Sequence, residues 1–193
     1  MAVTKETAKA RGVKLEGQDQ PCSSCAVSKA QKKKISKKEA KSRAELPAER
    51  LFLDISSQHY PSLGGNKHWL LALDDYSDQA FSFFLKEKSQ TSEVVIPFLK
   101  SLHAYFGRGV KYIRCDNAGK NLALQKACEK SGLGITFEFT APNTPQQNGR
   151  VERKFATLWG CTRAMMTDTD WNLSLKRLLW PEPANTATDY DNY

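Results

Sequence analysis

The sequence predicts an α/β domain, a mixed five-stranded sheet flanked by helices, preceded by a basic, poorly structured N-terminal arm. Three observations predict it. Apolar residues come first in short strand-like blocks, then switch to helical spacing from Val94 onward and alternate between the two patterns thereafter. Glycine and proline punctuate the chain at the joints between these blocks. Charge is uneven: residues 1–50 hold 13 Lys and Arg against 6 Asp and Glu, so nearly all of the chain's net +8 lies in its first quarter.

The 193 residues suffice for one ordinary domain with an arm. Composition becomes globular after Pro47, which divides the chain into an arm over 1–47 and a domain over 48–193. Leu51 to Ile55 is a short apolar run broken by one carboxylate, a buried strand. Pro61 to Asn66 is turn chemistry, so a second strand runs from Lys67 to Leu73, and the aromatic-rich Ala80 to Leu85 makes a third. Three strands in succession predict an antiparallel meander. Val94, Val95, Phe98, Leu99, Leu102 and Phe106 share one helical face, and Gly107 and Gly109 end that helix. Val110 to Cys115 is a fourth strand that delivers Asp116 at its end. Leu122 to Ser131 is a second helix, stopped by Gly132 and Gly134, and Ile135 to Phe139 is a fifth strand. A loop over residues 141–149 leads into a long helix whose apolar stripe is Val151, Phe155, Leu158, Thr162, Met165 and Met166. The order β-β-β-α-β-α-β-α is that of a ribonuclease H-like domain.

No window approaches 18 consecutive apolar residues, and the N-terminus has no apolar segment, which speaks against a membrane partner and a secretory signal. Five cysteines, an odd number, do not read as a secreted disulfide framework, and the chain is expected to be intracellular. The stretch from Lys29 to Arg43, both included, holds eight basic residues and one acid, with only Ile35 and small apolar residues between them. Lys32, Lys33, Lys34, Lys37 and Lys38 are its centre. Such a segment either is simply solvated or binds a polyanion by counterion release, nucleic acid being the commonest. A nuclear-import signal is a further use of such a run.

Three carboxylates stand out. Asp54 interrupts a Leu and Phe run, Asp116 ends a strand, and Glu152 lies in the first turn of the long helix, where its spacing from Val151, Ala156 and Trp159 borders the buried stripe. Arg150, Arg153 and Lys154 occupy the neighbouring exposed sector. A carboxylate buried beside a sheet costs several kcal/mol unless donors or a cation compensate. Hard divalent cations take oxygen ligands, and two ions about 3.5–4 Å apart activate an attacking hydroxyl or water and stabilise the leaving oxygen in phosphoryl transfer. Spacing alone decides nothing, since most Asp and Glu pairs are ordinary surface charge.

The flanks are more specific. Between Asp116 and Glu152 lie 35 residues, and Pro61-Ser62-Leu63-Gly64-Gly65-Asn66, Leu73-Asp74-Asp75-Tyr76-Ser77, Cys115-Asp116-Asn117-Ala118-Gly119, the stretch from Thr144 to Lys154, and Leu179-Trp180 accompany them. From about Cys22 to its end the chain resembles the D,D-35-E integrases of copia-type long-terminal-repeat retrotransposons. The resemblance implies a polynucleotidyl transferase that processes the 3′ ends of element DNA and joins them to target DNA, acting as a homo-oligomer in the nucleus or a cytoplasmic virus-like particle. Asp54, Asp116 and Glu152 would be the catalytic acids and the ligands of Mg²⁺ or Mn²⁺. Asn117, Gln146, Gln147, Asn148, Arg150, Arg153 and Lys154 would meet DNA, largely through phosphates and sugars. A non-catalytic nucleic-acid-binding relic and a ribonuclease H-type nuclease are the alternatives.

The sequence also departs from that family. Cys22 and Cys25 supply half of a tetrahedral zinc site, whereas the histidine pair that precedes such cysteines in the family has no counterpart. His59, His68 and His103 all follow them, so two exposed reduced thiols are preferred over bound Zn²⁺. Lys120 stands where the family favours an acid. Pro181 and Pro183 fall where it continues a helix, and no basic module follows, as expected of a truncated copy. Asp74 and Asp75 are assigned turn or strand-end hydrogen bonding rather than chemistry. Trp69, Phe81, Phe83, Phe84 and Phe106 are expected in the core, and Cys115, Cys128 and Cys161 as small buried residues.

Overall fold

The computed structural model describes Gly12 and residues 43–117, 119–140 and 148–193. Cys22, Cys25, Lys32, Lys33, Lys34, Lys37, Lys38, Gln146 and Gln147 lie outside the described residues. The strands are β1 (Arg50–Ser57), β2 (His68–Asp74), β3 (Ala80–Leu85), β4 (Tyr112–Cys115) and β5 (Thr136–Phe139). The helices are α1 (Thr91–Phe106), α2 (Gly119–Lys130), α3 (Gly149–Thr167), α4 (Leu173–Leu178) and α5 (Pro181–Asp191).

The sheet order is β3-β2-β1-β4-β5. As expected, β1, β2 and β3 form an antiparallel meander, with β4 parallel to β1 and β5 parallel to β4. Alternation along the strands gives each face its own core. Leu51, Leu53, Leu70, Ala72 and Ile113 pack against Val95, Leu99 and Leu102 of α1 and Leu124 and Cys128 of α2. Phe52, Trp69, Leu71 and Leu73 pack on the other side against Val151, Phe155 and Leu158 of α3 and Trp180, Ala184 and Ala187. Trp69 is fully buried at the centre of this second core, 5.3 Å from the Phe155 ring and 4.8 Å from Trp159. Its indole N–H donates to Ser82 Oγ at 2.8 Å, so the ring is buried without an unpaired donor.

The turn chemistry behaves as its residues dictate. Gly65 takes φ +80° in the 61–66 turn, where Ser62 N–H donates to the Asn66 carbonyl at 2.8 Å. Gly107 closes α1 in the left-handed region. Two helices were not expected. α5 begins at Pro181, where a missing N–H costs nothing because the first helical donors have no intrahelical acceptor, so the prolines open a helix rather than break one. It packs on α3 and β3, with Asn192 hydrogen-bonded to both Ala80 backbone groups at 2.8 Å.

Asp74 and Asp75 do the hydrogen bonding expected of them, at positions 4% and 3% exposed. Asp74 accepts from Ala48 N–H at 3.0 Å and from Ser77 Oγ at 2.7 Å. Asp75 accepts from Ala44 N–H at 2.8 Å and pairs with Arg50 at 3.1 Å and with Arg150. The two acids thereby tie the segment entering β1 to the end of β2.

Candidate functional site

Strand register decides which acids meet. Phe52 lies opposite Arg114 in the parallel β1–β4 pair. Asp54 follows Phe52 by two residues within β1, and Asp116 follows Arg114 by two, just past the end of β4. Both belong to the face of Phe52 and Arg114, which α3 covers; the Arg114 guanidinium lies 5.4 Å over the Phe52 ring.

The electrostatics agree with that proximity. Burial raises the Asp54 pKa; the Ile55 N–H at 2.8 Å and the charge of Lys120 oppose the shift, and the charge of Asp116 adds to it. Asp54 is thus a half-buried carboxylate that senses one negative and one positive neighbour. Asp116 is more open, its side chain 48% exposed. Its backbone carbonyl accepts from Asn121 Nδ2 at 3.0 Å, and the same amide donates to Oδ1. Lys120 Nζ stands 4.0 Å from Oδ2. Cys115, next to Asp116 in sequence but fully buried in the core of the opposite sheet face, is pushed up to about 12, chiefly by burial, so it stays a neutral thiol.

Glu152 is placed by the helix. α3 runs along β1, with Arg150 5.5 Å over Phe52 and the Trp159 indole N–H donating to Ser56 Oγ at 3.2 Å. Glu152 precedes Trp159 by seven residues, two turns, and so shares its flank. The opposite flank faces α5, where Lys154 pairs with Asp191. Contrary to expectation, Glu152 does not border the core: it is exposed, because α3 buries Val151, Phe155, Leu158 and Thr162 and Glu152 falls about 100° past the first of these. Among the described residues no group of three or more His, Cys, Asp and Glu is close enough to hold a metal ion. The charge of Asp116 acts on Asp54, whereas Glu152 hangs on the adjoining helix and forms no cluster with them. In donor chemistry these carboxylates suit a hard divalent cation.

The basic residues are used differently from their sequence sector. Arg150 bonds Asp75 and Asp78, and Lys154 bonds Asp191, so neither projects freely. Burial alone would raise Asp78, but the hydrogen bond and charge of Arg150, with Arg43, hold its carboxyl below the usual range. Arg153 is exposed beside an open cleft of about 300 Å³ lined also by Leu73, Asp78, Arg150, Lys154 and Thr157. Asn148 stands at the N-cap position of α3 without a side-chain capping bond, its buried Oδ1 finding no hydrogen-bond partner among the described residues, whereas Asn117 is exposed after β4. Cys161 is exposed rather than buried, one position off the apolar stripe of α3; Cys115 and Cys128 are buried as expected. Asn121 was not singled out from sequence, although an amide five residues after a strand-end Asp, in the first turn of the next helix, is the signal that could have found it.

No family model matches the chain. It is 33% identical over 126 residues to the retrovirus-related Pol polyprotein from transposon TNT 1-94 of Nicotiana tabacum, covering 65% of this chain and 9% of that protein. It is 26% and 27% identical, over 160 and 167 residues, to those from transposons RE1 and RE2 of Arabidopsis thaliana, covering 83% and 86% of this chain and 10% and 11% of those proteins. The chain therefore spans about a tenth of the length of these relatives. In structure it resembles a chain of the simian T-cell lymphotropic virus intasome in complex with PP2A regulatory subunit B56 gamma (TM-score 0.56, 22% identity, 76% of this chain and 49% of that one). It also resembles the HTLV-2 integrase catalytic core domain in complex with magnesium in its trimeric form (TM-score 0.50, 18% identity, 76% of this chain and 86% of that one). The chain is thus similar in sequence to a stretch of the retrovirus-related Pol polyproteins of plant transposons and shares the fold of retroviral integrase catalytic cores, the ribonuclease H-like fold its element order predicts.

Proposed function

We propose that the chain is the catalytic core of a divalent-metal-dependent polynucleotidyl transferase that processes the 3′ ends of element DNA and joins them to a target duplex. The observation that supports it is that Asp54 on β1 and Asp116 just after β4 follow a recorded parallel pair, Phe52 and Arg114, by two residues each, with the charge of Asp116 acting on Asp54. Asp54, Asp116 and Glu152 would hold Mg²⁺ or Mn²⁺, which supplies activation of the attacking hydroxyl and charge stabilisation of the leaving oxygen. Asn121 orients the Asp116 carboxylate, and the Ile55 N–H orients that of Asp54. Glu152 is the mobile member of the set: an exposed side chain in the first helical turn, free to swing toward the strand ends when DNA and metal arrive. Arg153 and the basic segment around Lys32 to Lys38 bind phosphate, while Arg150 and Lys154 hold α3 against β2 and α5. The working form is a homo-oligomer, as the dimeric and trimeric forms of the HTLV-2 core suggest.

The test is incubation of the purified chain with Mg²⁺ or Mn²⁺ and either blunt element-end DNA or a branched strand-transfer product. Cleavage or joining that Asp116→Asn and Glu152→Gln abolish supports the proposal. Turnover on neither substrate contradicts it. One observation favours a second reading, a nucleic-acid-binding chain without turnover: the three acids are not gathered among the described residues. In that case DNA binding persists unchanged in Asp116→Asn. Cleavage of an RNA–DNA hybrid in preference to duplex DNA would instead point to a ribonuclease H-type nuclease.

A further inference from the structure

The basic side chain nearest the acid pair is not used by the proposed chemistry. Lys120 lies in the first turn of α2, yet its side chain is only 13% exposed. A lysine in a first helical turn ordinarily extends its ammonium into water. Here Nζ stands 4.0 Å from Asp116 Oδ2. Its charge also acts on Asp54 of β1. Asn121 already occupies Asp116 Oδ1, so Lys120 takes the remaining oxygen. An ordinary i,i+4 helix pair does not account for this, because Asp116 precedes α2 and the contact crosses the strand–helix joint.

We propose that Lys120 is the resident counter-cation of the Asp54–Asp116 pair. Its ammonium supplies part of the charge a divalent ion would bring, so the chain folds without metal, and metal entry displaces the lysine. The second half rests on the assignment of these acids as metal ligands.

The test uses the full chain, stripped with EDTA, as wild type, Lys120→Met, Lys120→Gln and Lys120→Arg, each also in an Asp54→Asn/Asp116→Asn background. Without metal, Lys120→Met and Lys120→Gln lower the melting temperature by several degrees in the wild-type background and much less in the double-Asn background, while Lys120→Arg stays near wild type. Equal losses in both backgrounds overturn the counter-cation. With metal, free Mn²⁺ measured by electron paramagnetic resonance gives at least about tenfold tighter binding in Lys120→Met and Lys120→Gln than in wild type. Equal affinity in all Lys120 variants, with binding lost in the double-Asn background, overturns the displacement and leaves the metal ligands standing. No Mn²⁺ binding by any variant removes the metal-ligand assignment and the displacement with it, and the EDTA comparison then decides the counter-cation alone.

Discussion

Replacing Asp75 separates an architectural acid from a chemical one. Its carboxylate is 3% exposed and accepts from Ala44 N–H and the guanidinium groups of Arg50 and Arg150. Asp75→Ala leaves two buried or half-buried cations and one backbone donor short of a partner. Breaking a buried charge pair costs about 3–5 kcal/mol, but Arg50 keeps Glu138 at 3.4 Å and Arg150 keeps Asp78, which moves the figure to about 3. An unsatisfied buried N–H adds about 1 kcal/mol. The sum, ~4 kcal/mol, corresponds to roughly 8–16 °C in melting temperature for a domain of this size. Asp75→Asn, which keeps the shape and loses the charge, should cost about half as much. Urea unfolding followed by tryptophan fluorescence measures both, since Trp69 and Trp180 are buried in the core that α3 covers. A loss under about 1 kcal/mol, or a normally stable variant that no longer binds Mn²⁺, would refute the structural assignment.

Other outcomes follow from the same geometry. Because the folded chain holds the Asp54 proton more tightly than the unfolded chain does, stability linked to this group is present at acid pH and lost as pH rises through the raised folded pKa. Asp54→Asn should therefore be more stable than wild type at pH 7 in EDTA, with the difference vanishing below the ordinary carboxylate range; thermal melts across pH check it. Cys161→Ser should remove one fast-reacting equivalent in thiol titration of the native chain, while Cys115 and Cys128, pushed up to about 12 and about 11, react only on unfolding. Arg153→Ala should weaken DNA binding and shallow its salt dependence by about one charge without changing stability, whereas Arg150→Ala should lower stability by about 2–3 kcal/mol; filter binding across a salt series and urea melts distinguish the two.

The strands and the first three helices were legible because period-2 and period-3.6 patterns are local properties, and β3 runs from Ala80 to Leu85 as its aromatic pattern indicates. α5 was not legible, since Pro181 and Pro183 look like breaks until the helix is known to begin there. Arg150 and Lys154 look like a free basic cluster because their partners Asp75, Asp78 and Asp191 lie 37–75 positions away. That the strands carrying Asp54 and leading to Asp116 are neighbours needed the β1–β4 pairing, which no single segment encodes. Glu152 followed the right helix but not the right exposure, since a single helical position decides between core and water.

The central claim is that Asp54, Asp116 and Glu152 act together on divalent metal. Anomalous scattering from a crystal of the chain with Mn²⁺ and a DNA end tests it most directly. The account predicts Mn²⁺ against the Asp54 and Asp116 carboxylates, with Glu152 drawn in from its helix flank and the Lys120 ammonium moved aside. Manganese absent from Asp54 and Asp116, or bound at a cluster that includes none of these acids, would contradict it.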